Sequence, residues 1–126
     1  MAQEIPTPEA LVHLTVFAVD SSAGLLRDGN YDYEFSADSV VLRHSPTTVV
    51  YALTESTQST YLIEDVVTTD SKSQVRSIEI AKDGRSVTLV NLNTVRTLIY
   101  LTILVRDTST RTLVNCDPQM TNAPPT

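Results

Sequence analysis

The chain has 126 residues, of which 41% are hydrophobic and 19% charged, the size and composition of one globular domain. The net charge of −6, with no cluster of Lys or Arg, argues against binding to nucleic acid, which depends on such clusters. No segment has the roughly 20 apolar residues that span a bilayer, and the N-terminus lacks the features of a secretory signal. We therefore expect a cytoplasmic protein that does not bind membranes, although a signal peptide already removed would leave the same sequence.

Charge is distributed unevenly along the chain. Residues 1–70 contain eleven acidic and two basic side chains, a balance of −9, whereas residues 71–126 contain seven basic and four acidic ones, a balance of +3. An acidic surface on one copy and a basic surface on another would attract each other. Self-association into a homo-oligomer is therefore one expected mode of interaction.

Short runs of β-branched and apolar residues recur about every ten residues, separated by polar turns. Within the first run, Val12, Leu14, Val16 and Ala18 alternate with a mixed row, as in a strand with one buried face. The predicted strands cover residues 11–20, 31–35, 39–44, 47–54, 61–69, 75–81, 86–92, 96–106 and 111–114.

Two of these strands are joined by Lys82-Asp83-Gly84-Arg85. Asp-Gly is typical of a type I′ turn, in which both central residues have a positive φ and the twist matches that of the strands. The segment therefore predicts a β-hairpin.

The strand at residues 96–106 is almost continuously apolar and is expected to lie in the middle of a sheet. No segment shows the 3.6-residue period of a helix, so the sequence predicts an all-β, immunoglobulin-like antiparallel β-sandwich of about seven to nine strands. The absence of Trp and of a second Cys removes the antibody hallmarks. We expect an extended N-terminal segment at 1–10, the sandwich at 11–114 and a polar, Pro-bearing tail at 115–126.

The C-terminal third resembles the DP-EP family of small bacterial immunoglobulin-like proteins, which is named for paired acidic-Pro motifs. Asp117-Pro118 matches the first motif, whereas the second position reads Ala123-Pro124 and lacks the acidic residue. The resemblance implies a bacterial β-sandwich and supplies no catalytic residues. Asp117, Pro118 and Pro124 are either strand-terminating residues or parts of an interaction tail.

Few side chains are suited to catalysis. The histidines are His13 and His44, and no Gly-x-Ser-x-Gly nucleophile elbow occurs. Cys116 is followed by Asp117, whose negative charge would raise the thiol pKa and make the thiol less reactive. The sequence therefore predicts a protein that is not an enzyme and carries no cofactor.

Oxygen-bearing side chains occupy every second position from residue 28 to residue 34, in the order Asp28, Asn30, Asp32, Glu34. Such spacing in a loop suits Ca²⁺, but Tyr33 stands where an EF-hand requires Gly, and Ser39 where it requires Glu. The simpler interpretation is a turn at 28–30 followed by a strand with Asp32 and Glu34 in solvent. We therefore predict no metal site, with these four residues as the candidates if Ca²⁺ binds.

The five Tyr residues form either core contacts or a binding platform for a sugar or peptide; they are Tyr31, Tyr33, Tyr51, Tyr61 and Tyr100. Together these patterns favour a non-enzymatic structural or protein-interaction module that contacts a partner protein or its own copies. The alternative is a ligand-binding β-sandwich of adhesion or carbohydrate-binding type, with Ca²⁺ as a candidate ligand of the loop at 28–34.

Overall fold

The computed structural model describes residues 2–19 and 30–125, which form strands and connecting turns without any helix. The predicted all-β fold is therefore confirmed for these residues. The strands are β1 (Ala2–Ile5), β2 (Glu9–Ala18), β3 (Tyr31–Phe35), β4 (Ser39–Leu42), β5 (Thr47–Leu53), β6 (Tyr61–Thr68), β7 (Val75–Ile80), β8 (Ser86–Asn91), β9 (Thr97–Asp107), β10 (Thr112–Cys116) and β11 (Gln119–Asn122).

The strands form two sheets that pack face to face as a β-sandwich. One sheet has the order β3-β2-β5-β8-β7, in which β2 and β5 are parallel and the other neighbours antiparallel. In the other sheet, β9 has β6 on one side and the successive strands β10 and β11 on the other. Parallel strands β4 and β1 extend this sheet beyond β11. Both sheets are mixed, whereas the sequence predicted antiparallel ones.

The core lies between the sheets and follows the period-two pattern of the strands. In β9, Ile99, Leu101, Ile103 and Val105 are buried, while the alternate Tyr100 remains half exposed. The prediction that this apolar strand is central is confirmed, because β9 is hydrogen-bonded along both edges. The corresponding alternation in β2, β5 and β8 supplies the other face of the core.

The terminal segments differ from the expectation. β1 and β11 lie at 2–5 and 119–122, where the sequence predicted an extended segment and a polar tail. β11 continues β10 along β9 in the same register, since Leu101 donates its N–H to the Pro118 carbonyl at 3.0 Å. Met120, Asn122 and Ala123 are buried. The C-terminal segment is thus an internal part of a sheet.

The β7–β8 hairpin is confirmed, but its predicted turn type is wrong. Gly84 has a φ of 72°, while Asp83 is not among the described residues with positive φ, and a type I′ turn needs both. The Gly84 N–H instead donates to the Ala81 carbonyl at 2.8 Å. A Cβ on Gly84 would lie 3.1 Å from the Leu62 Cβ, so this position requires glycine for both space and conformation.

Candidate functional site: the groove between β3 and β10

A groove runs along one side of the sandwich, where β3 at the edge of one sheet lies beside β10 of the other. We call it the seam groove. One half has a volume of about 260 Å³ and is lined by Tyr31, Tyr33, Leu113, Val114 and Asn115. The other half has a volume of about 480 Å³ and is lined by Asp32, Tyr33, Glu34, Phe35, Asp38, Asp117 and Gln119. Tyr33 lines both halves, so the two volumes form adjoining parts of one surface.

The seam groove exists because the chain changes sheets between β3 and β4. β3 pairs with β2, whereas β4, which begins at Ser39, pairs with β11 in the opposite sheet. β4 therefore covers the half of the β10–β11 run that begins at Gln119, and none of the described strands pairs with β10 on that side. Among the described residues, no backbone hydrogen bond joins β3 to β10.

Backbone groups of both strands point into this gap. Bonds of 2.8 Å from Val19 N–H to the Asn30 carbonyl and from Ser36 N–H to the His13 carbonyl mark the positions of β3 that pair with β2. Because pairing alternates along an antiparallel ladder, the odd-numbered residues of β3 direct N–H and C=O groups away from β2. The same alternation along β9 directs the backbone groups of Leu113 and Asn115 away from the sheet.

Three other sheet edges, those of β3, β6 and β7, have features that oppose the addition of a strand. Asp carboxylates accept the outward N–H groups of Tyr33 in β3 (2.8 Å), Val66 in β6 (2.8 Å) and Val75 in β7 (2.7 Å). Both β6 and β7 also contain a β-bulge. Within the described residues, β10 has neither feature, so of the two edges that border the seam groove its outward edge is the more open to another strand.

Tyr31 closes one end of the seam groove through hydrogen bonds to the β9–β10 turn. Its hydroxyl donates to Asp107 Oδ2 at 2.7 Å and lies 2.8 Å from Thr110 Oγ1. Asp107 Oδ1 accepts the N–H and hydroxyl of Ser109 at 3.0 and 2.6 Å. Burial raises the pKa of this carboxyl, but the hydrogen bonds from Ser109, Tyr31 and Thr110 outweigh it and hold the pKa below its usual value. Asp107 therefore fixes β3 to the opposite sheet as a carboxylate.

The rim of the other half is acidic. Asp117 Oδ1 accepts the Thr102 hydroxyl at 2.8 Å, and Asp32 Oδ1 accepts the Tyr33 N–H. Both donors are neutral groups, so neither bond brings a positive charge to the rim. No Lys, Arg or His of the described chain lines either half, and Asp32, Glu34 and Asp117 form no salt bridge there. The seam groove thus combines half-buried aromatic rings with negative charge.

Three of the four candidate calcium ligands, Asn30, Asp32 and Glu34, lie within the described residues. Asp28 lies outside the described residues, whereas Asp32 and Glu34 are exposed on one side of β3. The three aromatic side chains of β3 are half-buried, as the strand interpretation predicted. The described parts of the chain contain no group of three His, Cys, Asp or Glu side chains placed to hold a metal ion.

The residues considered for catalysis lie apart from the seam groove. His13 is exposed, and His44 Nδ1 lies 3.0 Å from the Pro46 carbonyl oxygen. Ser45 donates its hydroxyl to the Asn93 carbonyl. Cys116 is fully buried, and its burial together with the charge of Asp117 raises the thiol pKa to about 12. The predicted effect of Asp117 on this pKa is confirmed.

The three residues of the proposed interaction tail flank β11 at its two ends, and their role in an interaction stays a prediction. Asp117 is exposed at the seam groove, Pro118 is buried, and Pro124 is half-buried. Of the five Tyr side chains, Tyr31 and Tyr33 line the seam groove. The remaining three lie elsewhere: Tyr51 and Tyr61 are buried in the core, and Tyr100 is exposed on the outer face of β9.

The sequence interpretation missed the β10 side of the site, namely Leu113 and Asn115. Leu113 is 41% exposed and alternates with buried Val114 and Cys116. This alternation is visible in the sequence, but only the fold shows that Leu113 and Asn115 line a groove beside β3.

No helix of the described residues is long and apolar enough to cross a membrane. Comparison with protein-family models and with curated proteins finds no match to this chain.

Proposed function

We propose that the protein is a non-enzymatic interaction module, of immunoglobulin-like type, that binds an extended segment of a partner protein in the seam groove. The observation that carries this proposal is the pair of strand edges, β3 and β10, that lie side by side without backbone hydrogen bonds between them. Extended peptides commonly bind at sheet edges, where main-chain groups supply affinity and side-chain pockets supply specificity. The mechanism is surface complementarity.

The charge of the site defines the chemistry of the partner. Asp32, Glu34 and Asp117 surround an aromatic surface formed by Tyr33 and Phe35, and no basic residue of the described chain lines it. Lys and Arg side chains are attracted both to carboxylates and to the faces of aromatic rings. The partner segment is therefore expected to be extended and basic.

Charge neutralisation within the seam groove tests this function. The triple variant Asp32→Asn, Glu34→Gln, Asp117→Asn removes three negative charges from the rim while keeping side-chain size. Binding of fluorescein-labelled hexa-arginine at 50 mM salt is followed by anisotropy. We expect the Kd to rise at least about tenfold in this variant, because the removed carboxylates contact the cationic side chains.

A matched triple variant, Glu9→Gln, Glu55→Gln, Glu79→Gln, removes the same charge from exposed sites outside the seam groove. It is expected to change the Kd by less than about twofold. Equal losses in the two variants would contradict the proposal, since they would show attraction to net charge alone. Absence of binding to the wild-type protein would also contradict it.

A carbohydrate is the second candidate ligand, favoured by Tyr31, Tyr33 and Asn115 in the same half of the groove. Aromatic rings and an amide are groups that pack on and hydrogen-bond to sugars. A panel of neutral oligosaccharides in the same titration separates the candidates. Displacement of hexa-arginine by an oligosaccharide, with loss of that displacement in Tyr33→Ala, would favour the sugar.

A further inference from the structure

We infer that the partner segment binds by adding as a strand to the outward edge of β10. This inference rests on the proposed function and specifies how the segment is held. The segment would form hydrogen bonds with the main-chain N–H and C=O groups of Leu113 and Asn115. The acidic rim would supply the selectivity for basic side chains.

β10 and β11 form one run along β9, and in the described part of the chain no strand pairs with the outer side of β10. β10 and β11 pair with β9 in one continuous register, and β11 is covered on its other side by β4. A segment added to β10 would occupy the position in the sheet that β4 occupies beside β11. The N–H and C=O groups of Leu113 and Asn115 would then receive partners that no backbone group of residues 2–19 and 30–125 supplies.

The opposing strand β3 is suited to be the wall of this site and not a second pairing edge. Its central outward N–H, that of Tyr33, is already held by Asp32 Oδ1 at 2.8 Å. The rings of Tyr33 and Phe35 pack edge to face with centroids 5.6 Å apart, and Phe35 packs in the same way on buried Tyr51 at 5.9 Å. The contacts from Tyr33 through Phe35 to Tyr51 connect β3 to the core. They hold β3 in position where the added segment would contact it.

The test removes the main-chain donor of the edge. Asn115→Pro eliminates an N–H that points away from β9, so the ladder between β9 and β10 keeps its bonds. We expect this variant to weaken hexa-arginine binding at least about tenfold, while Asn115→Ala, which keeps the N–H, changes it by less than about twofold. Circular dichroism and the melting temperature check that both variants fold.

A second probe leaves the protein unaltered. Hexa-arginine methylated at every backbone nitrogen keeps its charge but has no main-chain N–H donor left. Strand addition predicts that this peptide binds the wild-type protein at least about tenfold more weakly than unmethylated hexa-arginine, because it cannot donate to the outward carbonyls of β10.

Equal binding of the methylated and unmethylated peptides, together with normal binding by Asn115→Pro, would overturn strand addition. If the seam-groove charge variant still lost affinity in that case, the proposed docking function would stand and only the mode of binding would be wrong. If the charge variant and Asn115→Pro both bound like the wild type, the proposed function itself would be wrong.

Discussion

Asp107 is the residue through which the two sheets are joined beside the seam groove. It is 5% exposed, accepts the Tyr31 hydroxyl, and organises the turn between β9 and β10. Tyr31→Phe removes the hydroxyl and leaves a buried carboxylate oxygen with one donor fewer. We expect a loss of about 1–2 kcal/mol in the free energy of unfolding, measured by urea denaturation at pH 7. Tyr33→Phe is the matched control, with an expected change below about 0.5 kcal/mol.

The same contact has a defined pH dependence. Because the pKa of Asp107 in the folded protein lies below its ordinary value of 3.8, folding favours the ionised form. Its contribution to stability is complete above the ordinary pKa and is lost as the pH falls through the lower folded pKa. The stability difference between wild type and Asp107→Asn should therefore be constant near neutral pH and shrink below about pH 4. A difference that grew on acidification would contradict this assignment.

The environment of a single residue can be predicted from the sequence where one local property, such as a neighbouring charge, dominates it. Cys116 was expected to be unreactive because of the neighbouring negative charge, and the structure adds complete burial as the larger cause of its raised pKa. The role of Asp107 was not predictable, because Tyr31 is 76 residues away and only the fold brings the two side chains together.

At the scale of strands, β11 is held by a buried amide network that connects the sheets. Asn122 and Asn91 exchange two side-chain hydrogen bonds, at 2.7 and 3.0 Å, and Gln74 Oε1 accepts a third bond from Asn122. Asn122→Ala leaves buried polar groups without partners and also creates a cavity. We expect a loss of about 2–4 kcal/mol in the free energy of unfolding, measured by urea denaturation.

Thr121→Ala is the control on the same strand, since Thr121 is only half-buried and lies outside this network. The double variant Asn91→Leu, Asn122→Leu removes both partners and is expected to cost less than the sum of the two single variants. Additive losses would contradict a coupled amide network.

The nine strands with clear apolar alternation could be predicted to within a few residues, because a strand with one buried face must alternate. β1 and β11 could not, because each has four residues and stands among polar and Pro residues. Their pairing comes from neighbouring strands distant in sequence: β1 pairs with β4, and β11 with β4 and β9. Local sequence does not contain that information.

At the scale of the whole molecule, the protein is expected to be a monomer in the absence of a partner. β3 and β7, the two edges of the five-stranded sheet, each have an outward N–H bound by an Asp side chain, and β7 also has a bulge at Ser77. These features oppose pairing of copies through the five-stranded sheet, and the net charge of −6 opposes pairing at the open edge of β10, where one acidic chain would lie against the acidic seam groove of another. Light scattering from about 5 to about 500 μM should give a mass near 13.8 kDa at both low and high salt.

A dimer that dissociates at high salt would contradict this expectation and support the charge asymmetry of −9 and +3 as an assembly mechanism. If neutralising Asp32 and Glu34 abolished such a dimer, a second copy of the chain would be the occupant of the seam groove.

The sequence by itself determined the all-β class, most strands, the central position of β9 and the division of β3 into aromatic and acidic faces. These follow from local alternation, because a strand places successive side chains on opposite sides. Tertiary structure alone decided the sheet order, the internal position of β11 and the existence of the seam groove. The groove depends on pairing partners far apart in the chain, because β3 belongs to one sheet and β10 to the other. Asp32 and Asp117 line the same groove only because these two edges are neighbours.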